Sequence, residues 1–205
     1  MLRIYLARHG QNQDNANGIL NGHRDLPLTA LGEEQAYEVA QKIKAANLTF
    51  DVVLCSPLIR ARRTAEIIAE VNDLPQPKTV DGLIERDFGS MTGVEQSRIE
   101  ELCAPDIIKT ETVTYFLSPE GAETFPDLLA RASKLLHELS NQYKDGSILL
   151  VTHGDFGKMI YAAYYGLDWK DVLTLFHFGN SELLLLSPDS SAGEAHVFTI
   201  LQHNT

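Results

Sequence analysis

Apolar positions along this chain fall into short solid runs and into stripes at helical spacing, and the two kinds alternate. The runs at 2–7 (Leu-Arg-Ile-Tyr-Leu-Ala), 51–55 (Asp-Val-Val-Leu-Cys) and 147–151 (Ser-Ile-Leu-Leu-Val) are short and bounded by polar residues. Such runs predict strands buried on both faces, as in a parallel sheet. After the first, Thr29 is placed to cap a helix whose apolar positions are Ala36, Val39, Ala40 and Ile43. After the second, Ser56-Pro57 predicts a helix start, with Ser as cap and Pro as first helical residue, running to about Val71. Phe125, Leu128, Leu129, Ala132, Leu135, Leu136 and Leu139 form one stripe of an amphipathic helix over 123–143, stopped by Lys144-Asp145-Gly146. A further helix follows His153 and ends near Gly166. Runs at 181–186 and 196–201, separated by turn-rich residues 187–193, predict an antiparallel hairpin. From 81 to 120 the pattern weakens to loops and short helices, with 94–120 expected to form a small cap over the sheet edge.

Three strand-then-helix units followed by a hairpin predict an α/β fold: a three-layer α/β/α sandwich, mostly parallel, with a C-terminal antiparallel hairpin. With no internal repeat or linker, a single domain over 1–205 is expected, long enough to bury a substantial core. A net charge of −11 argues against nucleic acid and anionic membranes as partners. No apolar run approaches the roughly 20 residues that span a bilayer, and Arg3 and Arg8 interrupt the first one. Two cysteines, Cys55 and Cys103, are too few for a disulfide framework and fit a reducing cytosol, so a soluble, cytoplasmic protein is expected. In so acidic a chain the cluster Arg60, Arg62 and Arg63 stands out, although such clusters are ordinarily solvated helix faces.

The candidate chemistry sits where two strands end. Arg8-His9-Gly10 and Thr152-His153-Gly154 each follow an apolar run, and ligands of open parallel sheets collect beyond the carboxyl ends of strands. Arg8 offers a planar fork of donors for phosphate oxygens. His9 offers a neutral nitrogen able to attack phosphorus. Gly10 allows a sharp turn and a close backbone approach. Taken singly, each has an ordinary reading. Arg-His-Gly occurs in structural loops, Glu85-Arg86 reads as a surface ion pair, and His153 as a histidine packed at a strand end. Among the other histidines, His23 is placed to line a pocket mouth, whereas His137, His177, His196 and His203 suggest no chemistry.

The order of these motifs carries more than any one of them. The stretch Leu6-Ala7-Arg8-His9-Gly10-Gln11-Asn12-Gln13-Asp14-Asn15 is followed by Gly18-Ile19-Leu20-Asn21-Gly22, Asp25-Leu26-Pro27-Leu28-Thr29 and Gly32. Then come Ser56-Pro57-Leu58-Ile59-Arg60-Ala61 with Thr64-Ala65, Leu83-Ile84-Glu85-Arg86-Asp87-Phe88-Gly89, Gly121-Ala122-Glu123-Thr124 and Val151-Thr152-His153-Gly154. In this order, over nearly the whole chain, the sequence resembles the histidine phosphatase superfamily, the phosphoglycerate mutase-like proteins. The resemblance implies that His9 takes the phosphoryl group as a phosphohistidine and that Arg8, Arg60 and His153 hold its oxygens. It implies that Glu85 donates the proton to the leaving group, and that Asn15, Asn21, Gly22, Arg63 and Gly154 line the substrate site. It implies a small phosphorylated metabolite as substrate, with no metal and no cofactor.

Gln11-Asn12, Asn21 and Arg63 depart from the common family pattern. They are expected to touch the substrate beyond its phosphate, Arg63 serving a second anionic group. Two activities share the first half-reaction, a phosphatase passing the phosphoryl group to water and a mutase passing it to a second alcohol. Mutase-type relatives are usually longer, so the length and the modest cap favour the phosphatase. A metal-dependent hydrolase with His9, His153 and Glu85 as ligands is disfavoured by Arg8 next to His9 and by the absence of close ligand spacing. A non-catalytic phosphate-binding module would be expected to lack the nucleophile or the arginines. The sequence leaves the oligomeric state open.

Overall fold

A computed structural model describes residues 1–198. Its centre is a six-stranded sheet in the order β3-β2-β6-β1-β7-β8, where β1 is Arg3–Arg8, β2 Val52–Cys55, β3 Lys78–Thr79, β6 Ser147–Thr152, β7 Leu183–Leu186 and β8 His196–Phe198. The first four in that order run parallel, β7 is antiparallel to β1, and β8 is antiparallel to β7. A separate two-stranded hairpin pairs β4 (Ile107–Lys109) with β5 (Thr114–Phe116) within the 94–120 segment.

The solid apolar runs are explained by helices on both faces. Ile4, Leu6, Leu54, Ile148 and Leu150 point to one side, against α5 (Phe125–Gln142), α6 (Gly154–Tyr165) and α7 (Trp169–Leu175). Tyr5, Ala7, Val53, Cys55, Leu149 and Val151 point to the other, against α2 (Ala30–Ala45) and α3 (Ile59–Asn72). Successive strand residues face opposite layers, so a strand with a core on each side has no polar position to spare. A smaller cluster of Leu20, Phe88, Met91, Ile99 and Phe116 joins α4 (Ile99–Cys103) and the hairpin to the rest.

Local signals set most helix ends as expected. Thr29 Oγ1 accepts from Gly32 N at 3.0 Å, and Thr124 caps α5 with Pro126 in its first turn. One start is corrected. The helix after β2 begins at Ile59 with Leu58 at its N-cap and no side-chain cap bond. The Ser56 hydroxyl accepts from Leu58 N at 3.3 Å, ahead of the helix, and also bonds the ring of His153 at 2.7 Å. The helix α7 and the β4–β5 hairpin are additions, and the last predicted strand runs on to residues 199–201, outside the described residues. Among the described residues no helix is long and apolar enough to cross a membrane.

Candidate active site

Strand register alone brings the two histidines together. The strands β1 and β6 are parallel neighbours with Arg8 opposite Thr152, and His9 N donates to Thr152 O at 3.0 Å. His9 and His153 therefore leave adjacent strands at equivalent positions, and their ring centroids lie 5.1 Å apart. On the far side of β6, Cys55 pairs with Val151, which delivers Ser56 to His153 and starts α3 with Arg60 in its first turn. The chain between β1 and α2, including the short helix α1 (Gln13–Ala16), packs against this edge through a glycine contact. A Cβ on Gly10 would lie 2.2 Å from Gly32 O, and one on Gly32 only 1.9 Å from Gln11 O. No other residue permits so close an approach.

Hydrogen bonds fix the state of the His9 ring. Nδ1 lies 2.6 Å from Gly10 O. A carbonyl only accepts, so Nδ1 carries the proton and Nε2 carries the lone pair. Arg60 Nε donates to that lone pair at 3.2 Å, while its two other nitrogens donate to Arg24 O and Gly22 O. Arg8 donates to Phe178 O at 2.8 Å, and a Cβ on Gly154 would stand 3.4 Å from the Arg8 Cζ. Among the described residues Arg8 Nε and His153 Nδ1 are buried without a hydrogen-bond partner. Unsatisfied buried groups of this kind are uncommon and suit a bound polar ligand.

Burial and the arginines set the charges. Burial pushes the His9 and His153 imidazoles well below the usual range, and Arg60 and Arg8 push them further. Both shifts favour the neutral rings. Burial lowers Arg60 to about 10, offset by nearby Glu85, and it remains a cation at neutral pH. An anion binding among these groups would meet two guanidinium ions and could raise the imidazole basicity enough to protonate His153.

Glu85 reaches the same place by another route. It is 6% exposed, and its Oε1 accepts from Arg86 N and Phe156 N, each at 2.9 Å. Its Oε2 accepts from Asp155 N at 3.3 Å, so the carboxylate caps the positive end of α6. Burial nonetheless raises its proton affinity, reinforced by Asp155 and opposed by the amide bonds and Arg60. The surface ion pair read from Glu85-Arg86 is corrected. Arg86 is fully buried, pairs with Asp155 at 2.9 Å, and lies over the rings of Phe88, Phe116 and Phe125.

The structure thus brings Arg8, His9, Arg60, His153 and Glu85 together, with Gly154 beneath Arg8 and Gly22 offering its carbonyl to Arg60. The expected substrate contacts are distributed differently. Asn15 and Asn12 cap α1 reciprocally, and Asn12 Nδ2 donates to Asn21 Oδ1. Gln11 Oε1 accepts from Thr29 Oγ1 at 2.9 Å. Arg63 is held by Glu33 at 3.1 Å, with Glu66 and Glu70 nearby, along an outer groove of about 300 Å³. Its cation is neutralised by carboxylates of its own chain. His23 lies against Glu85 O at 2.8 Å.

Two further positioning residues, Asn180 and Ser181, carried no sequence signal, whereas Thr64 lay in one of the family motifs. Asn180 Nδ2 donates to His9 O, and Ser181 N donates to Arg8 O, each at 2.9 Å. Thr64 Oγ1 accepts from Gly10 N and donates to Arg60 O, tying the first loop to α3. The available hint for Asn180 and Ser181 was that 180–182 (Asn-Ser-Glu) is polar just before the apolar run of β7. Another groove, of about 410 Å³, is lined by Leu2, Ile4, Leu136 and Tyr164 near the start of β1 and has no arginine. Among the described residues, no three His, Cys, Asp or Glu side chains form a metal-ligand set.

Known proteins share this arrangement of sequence and fold. The family model of the histidine phosphatase superfamily (branch 1) matches residues 4–200. A 2,3-bisphosphoglycerate-dependent phosphoglycerate mutase of Mesorhizobium japonicum is 29% identical over 199 residues, covering 95% of this chain and 97% of that protein. A mycobacterial glucosyl-3-phosphoglycerate phosphatase, solved with VO3, superposes with a TM-score of 0.76 at 26% identity, covering 90% of this chain and 92% of that one. A phosphoserine phosphatase of Entamoeba histolytica, solved with 3-phosphoglyceric acid, gives 0.75 at 25% identity over 100% and 99% of the two chains. The mutase relative is covered almost end to end, so chain length does not separate the two activities as the sequence suggested.

Proposed function

The chain belongs to the histidine phosphatase superfamily, and on that premise we propose that it hydrolyses a small phosphomonoester through a phosphohistidine on His9, without a metal. The observation that carries this reading is the His9 tautomer. The ring is anchored through Nδ1, and its Nε2 lone pair lies beside Arg60 and the ring of His153.

In the first step Nε2 attacks phosphorus and the bond to the ester oxygen breaks. The departing oxygen takes the proton held by Glu85, whose burial favours the protonated carboxyl. Arg8, Arg60 and a His153 protonated on anion binding stabilise charge on the three equatorial oxygens, where phosphoryl transfer concentrates it. In the second step the Glu85 carboxylate takes a proton from water, the water oxygen attacks phosphorus, and the N–P bond breaks. Inorganic phosphate leaves, and His9 and Glu85 return to their starting states.

A phosphoglycerate mutase is the second reading, favoured by the name of the Mesorhizobium relative. A mutase must also hold the carboxylate of a sugar acid. The cap offers little for this. Its basic residues, Arg98 and Lys109, are both exposed and paired with Glu101 and Glu100, and Glu95, Asp106, Glu111 and Glu120 add negative charge. This favours water as the acceptor.

The test is a panel of phosphorylated metabolites in EDTA, including 3-phosphoglycerate with and without 2,3-bisphosphoglycerate. Both free phosphate and isomerised product are scored. Free phosphate as the main product supports the hydrolase. Isomerised 3-phosphoglycerate in excess of free phosphate replaces it with the mutase. Loss of all activity in EDTA removes the metal-free mechanism.

A further inference from the structure

Glu85 lies in a loop that belongs to no strand, yet the carbonyls leading up to it are held by side chains. From Gly82, within the 3₁₀ turn at Asp81–Leu83, to Glu85, four consecutive carbonyls are taken by side chains from elsewhere in the fold. Thr152 Oγ1 donates to Leu83 O at 2.7 Å. The other three carbonyls converge on one residue, Arg131 of α5. Its Nη1 donates to Gly82 O at 3.0 Å and Ile84 O at 2.9 Å, and its Nη2 donates to Glu85 O at 3.2 Å. Its remaining two donors, on Nε and Nη2, bind both oxygens of Glu123 at 2.9 Å. A guanidinium has five N–H donors, and all five are used.

The same guanidinium reaches the carboxylate end of Glu85 indirectly. Its Cζ lies 4.0 Å from the centroid of the Phe156 ring, and Phe156 N donates to Glu85 Oε1 at 2.9 Å. Arg131 therefore holds the Glu85 backbone by hydrogen bonds and packs on the residue whose amide holds its side chain.

We propose that Arg131, locked by Glu123, is the positioning residue that fixes the Glu85 carboxyl for proton transfer to the leaving group and from water. This rests on the acid–base role proposed for Glu85 and gives the Gly121-Ala122-Glu123-Thr124 motif a task, which is to supply the anion that orients the clamp. Lysine cannot replace the arginine, because a point charge with three donors cannot span Glu123 and three carbonyls in one plane. Displacing a catalytic group by about 1 Å can cost about a hundredfold in rate.

The experiment compares p-nitrophenyl phosphate, whose alcohol departs readily as an anion, with phenyl phosphate, which needs a proton. It uses the full-length wild type, Arg131→Lys, Arg131→Met, Glu123→Gln, Glu85→Gln and the Arg131→Lys/Glu85→Gln double variant. Both Arg131 variants are expected to lose about a hundredfold in the single-turnover rate of alcohol release from phenyl phosphate and less than about fivefold in that from p-nitrophenyl phosphate, because the water step shared by the two esters follows alcohol release. Glu85→Gln should show the same selectivity, and the double variant should be no worse than Glu85→Gln alone. Glu123→Gln should show it more weakly, and this variant decides the matter if the Arg131 variants fail to fold. Equal losses on the two esters, or wild-type rates on both, would overturn the positioning role while Glu85→Gln remains selective. A Glu85→Gln variant with no leaving-group selectivity removes instead the acid–base reading on which the proposal stands.

Discussion

The two sides of the candidate active site are built by different means. The phosphoryl side, comprising Arg8, His9, His153 and Arg60, hangs from the carboxyl edge of β1, β6 and β2. Its geometry follows from parallel strand pairing, Arg8 opposite Thr152 and Cys55 opposite Val151. The side proposed to supply the acid is one carboxyl, Glu85, in a loop pinned by side chains from α5, β6 and the 18–29 loop, namely Arg131, Thr152 and His23. A sheet edge makes a rigid platform from backbone alone. A loop carrying a catalytic carboxyl has to be made rigid one hydrogen bond at a time, and each such bond can be removed by a single substitution.

The largest effect should come from the platform side. His9→Ala should lower kcat by about six orders of magnitude on every ester, measured by phosphate release. Survival of appreciable turnover would break the comparison at its base. Glu85→Gln should slow alcohol release about 10²- to 10⁴-fold on esters of poor leaving groups, with that loss shrinking as the leaving alcohol becomes more acidic. Arg60→Met should cost about 10²- to 10³-fold regardless of leaving group, because Arg60 serves the transferred group and not the departing oxygen. A leaving-group dependence for Arg60→Met would blur the division between the two sides.

Acid sensitivity sharpens the comparison further. His9 and His153 are held neutral in the fold, with proton affinities well below that of a free histidine. Below about pH 6.5 the unfolded chain binds protons that the folded chain refuses, so stability falls as pH is lowered through that value. Glu85 works with the opposite sign. Its raised proton affinity stabilises the fold at low pH, and this contribution is lost as pH rises through its folded value. Melting temperatures of His153→Gln against wild type, from pH 7.5 to 5, should show a smaller acid loss in the variant. Saturating inorganic phosphate should recover part of the loss in the wild type. Parallel pH curves for the two proteins would show that the buried imidazoles do not set the acid limit. The smallest effect is assigned to Arg63→Gln. Paired on the outer face with Glu33, Glu66 and Glu70, Arg63 should change stability by less than about 1 kcal/mol and leave KM for mono- and bis-phosphorylated esters alike. A selective rise in KM for doubly anionic substrates would return Arg63 to the substrate site.

The same division explains what could be read from the sequence. The platform was legible because a strand buried on both faces writes itself as an unbroken apolar run, and a histidine right after such a run has one place to go. The hairpin of β4 and β5 was not, because strands as short as Ile107–Lys109 and Thr114–Phe116 cannot display an alternation. Arg131 sits on the polar side of an amphipathic helix, where an arginine ordinarily meets water, and nothing local reveals that Gly82, Ile84 and Glu85 lie beneath it. Arg86 looked like half of a surface pair because the rings that enclose it, Phe88, Phe116 and Phe125, are mostly distant in the chain. Ser56 makes the local bond expected of it, to Leu58 N, but the helix starts later, at Ile59, and the same hydroxyl also serves His153.

The most direct test of the account is to trap the covalent intermediate. Glu85→Gln is mixed with p-nitrophenyl phosphate, quenched within milliseconds under alkaline conditions that preserve a phosphoramidate, digested and mapped by mass spectrometry. The account predicts one phosphoryl group per chain, on His9, forming at the rate of the p-nitrophenol burst and removed by acid. Phosphate release with no label on His9, or a label that maps to another residue, would contradict it.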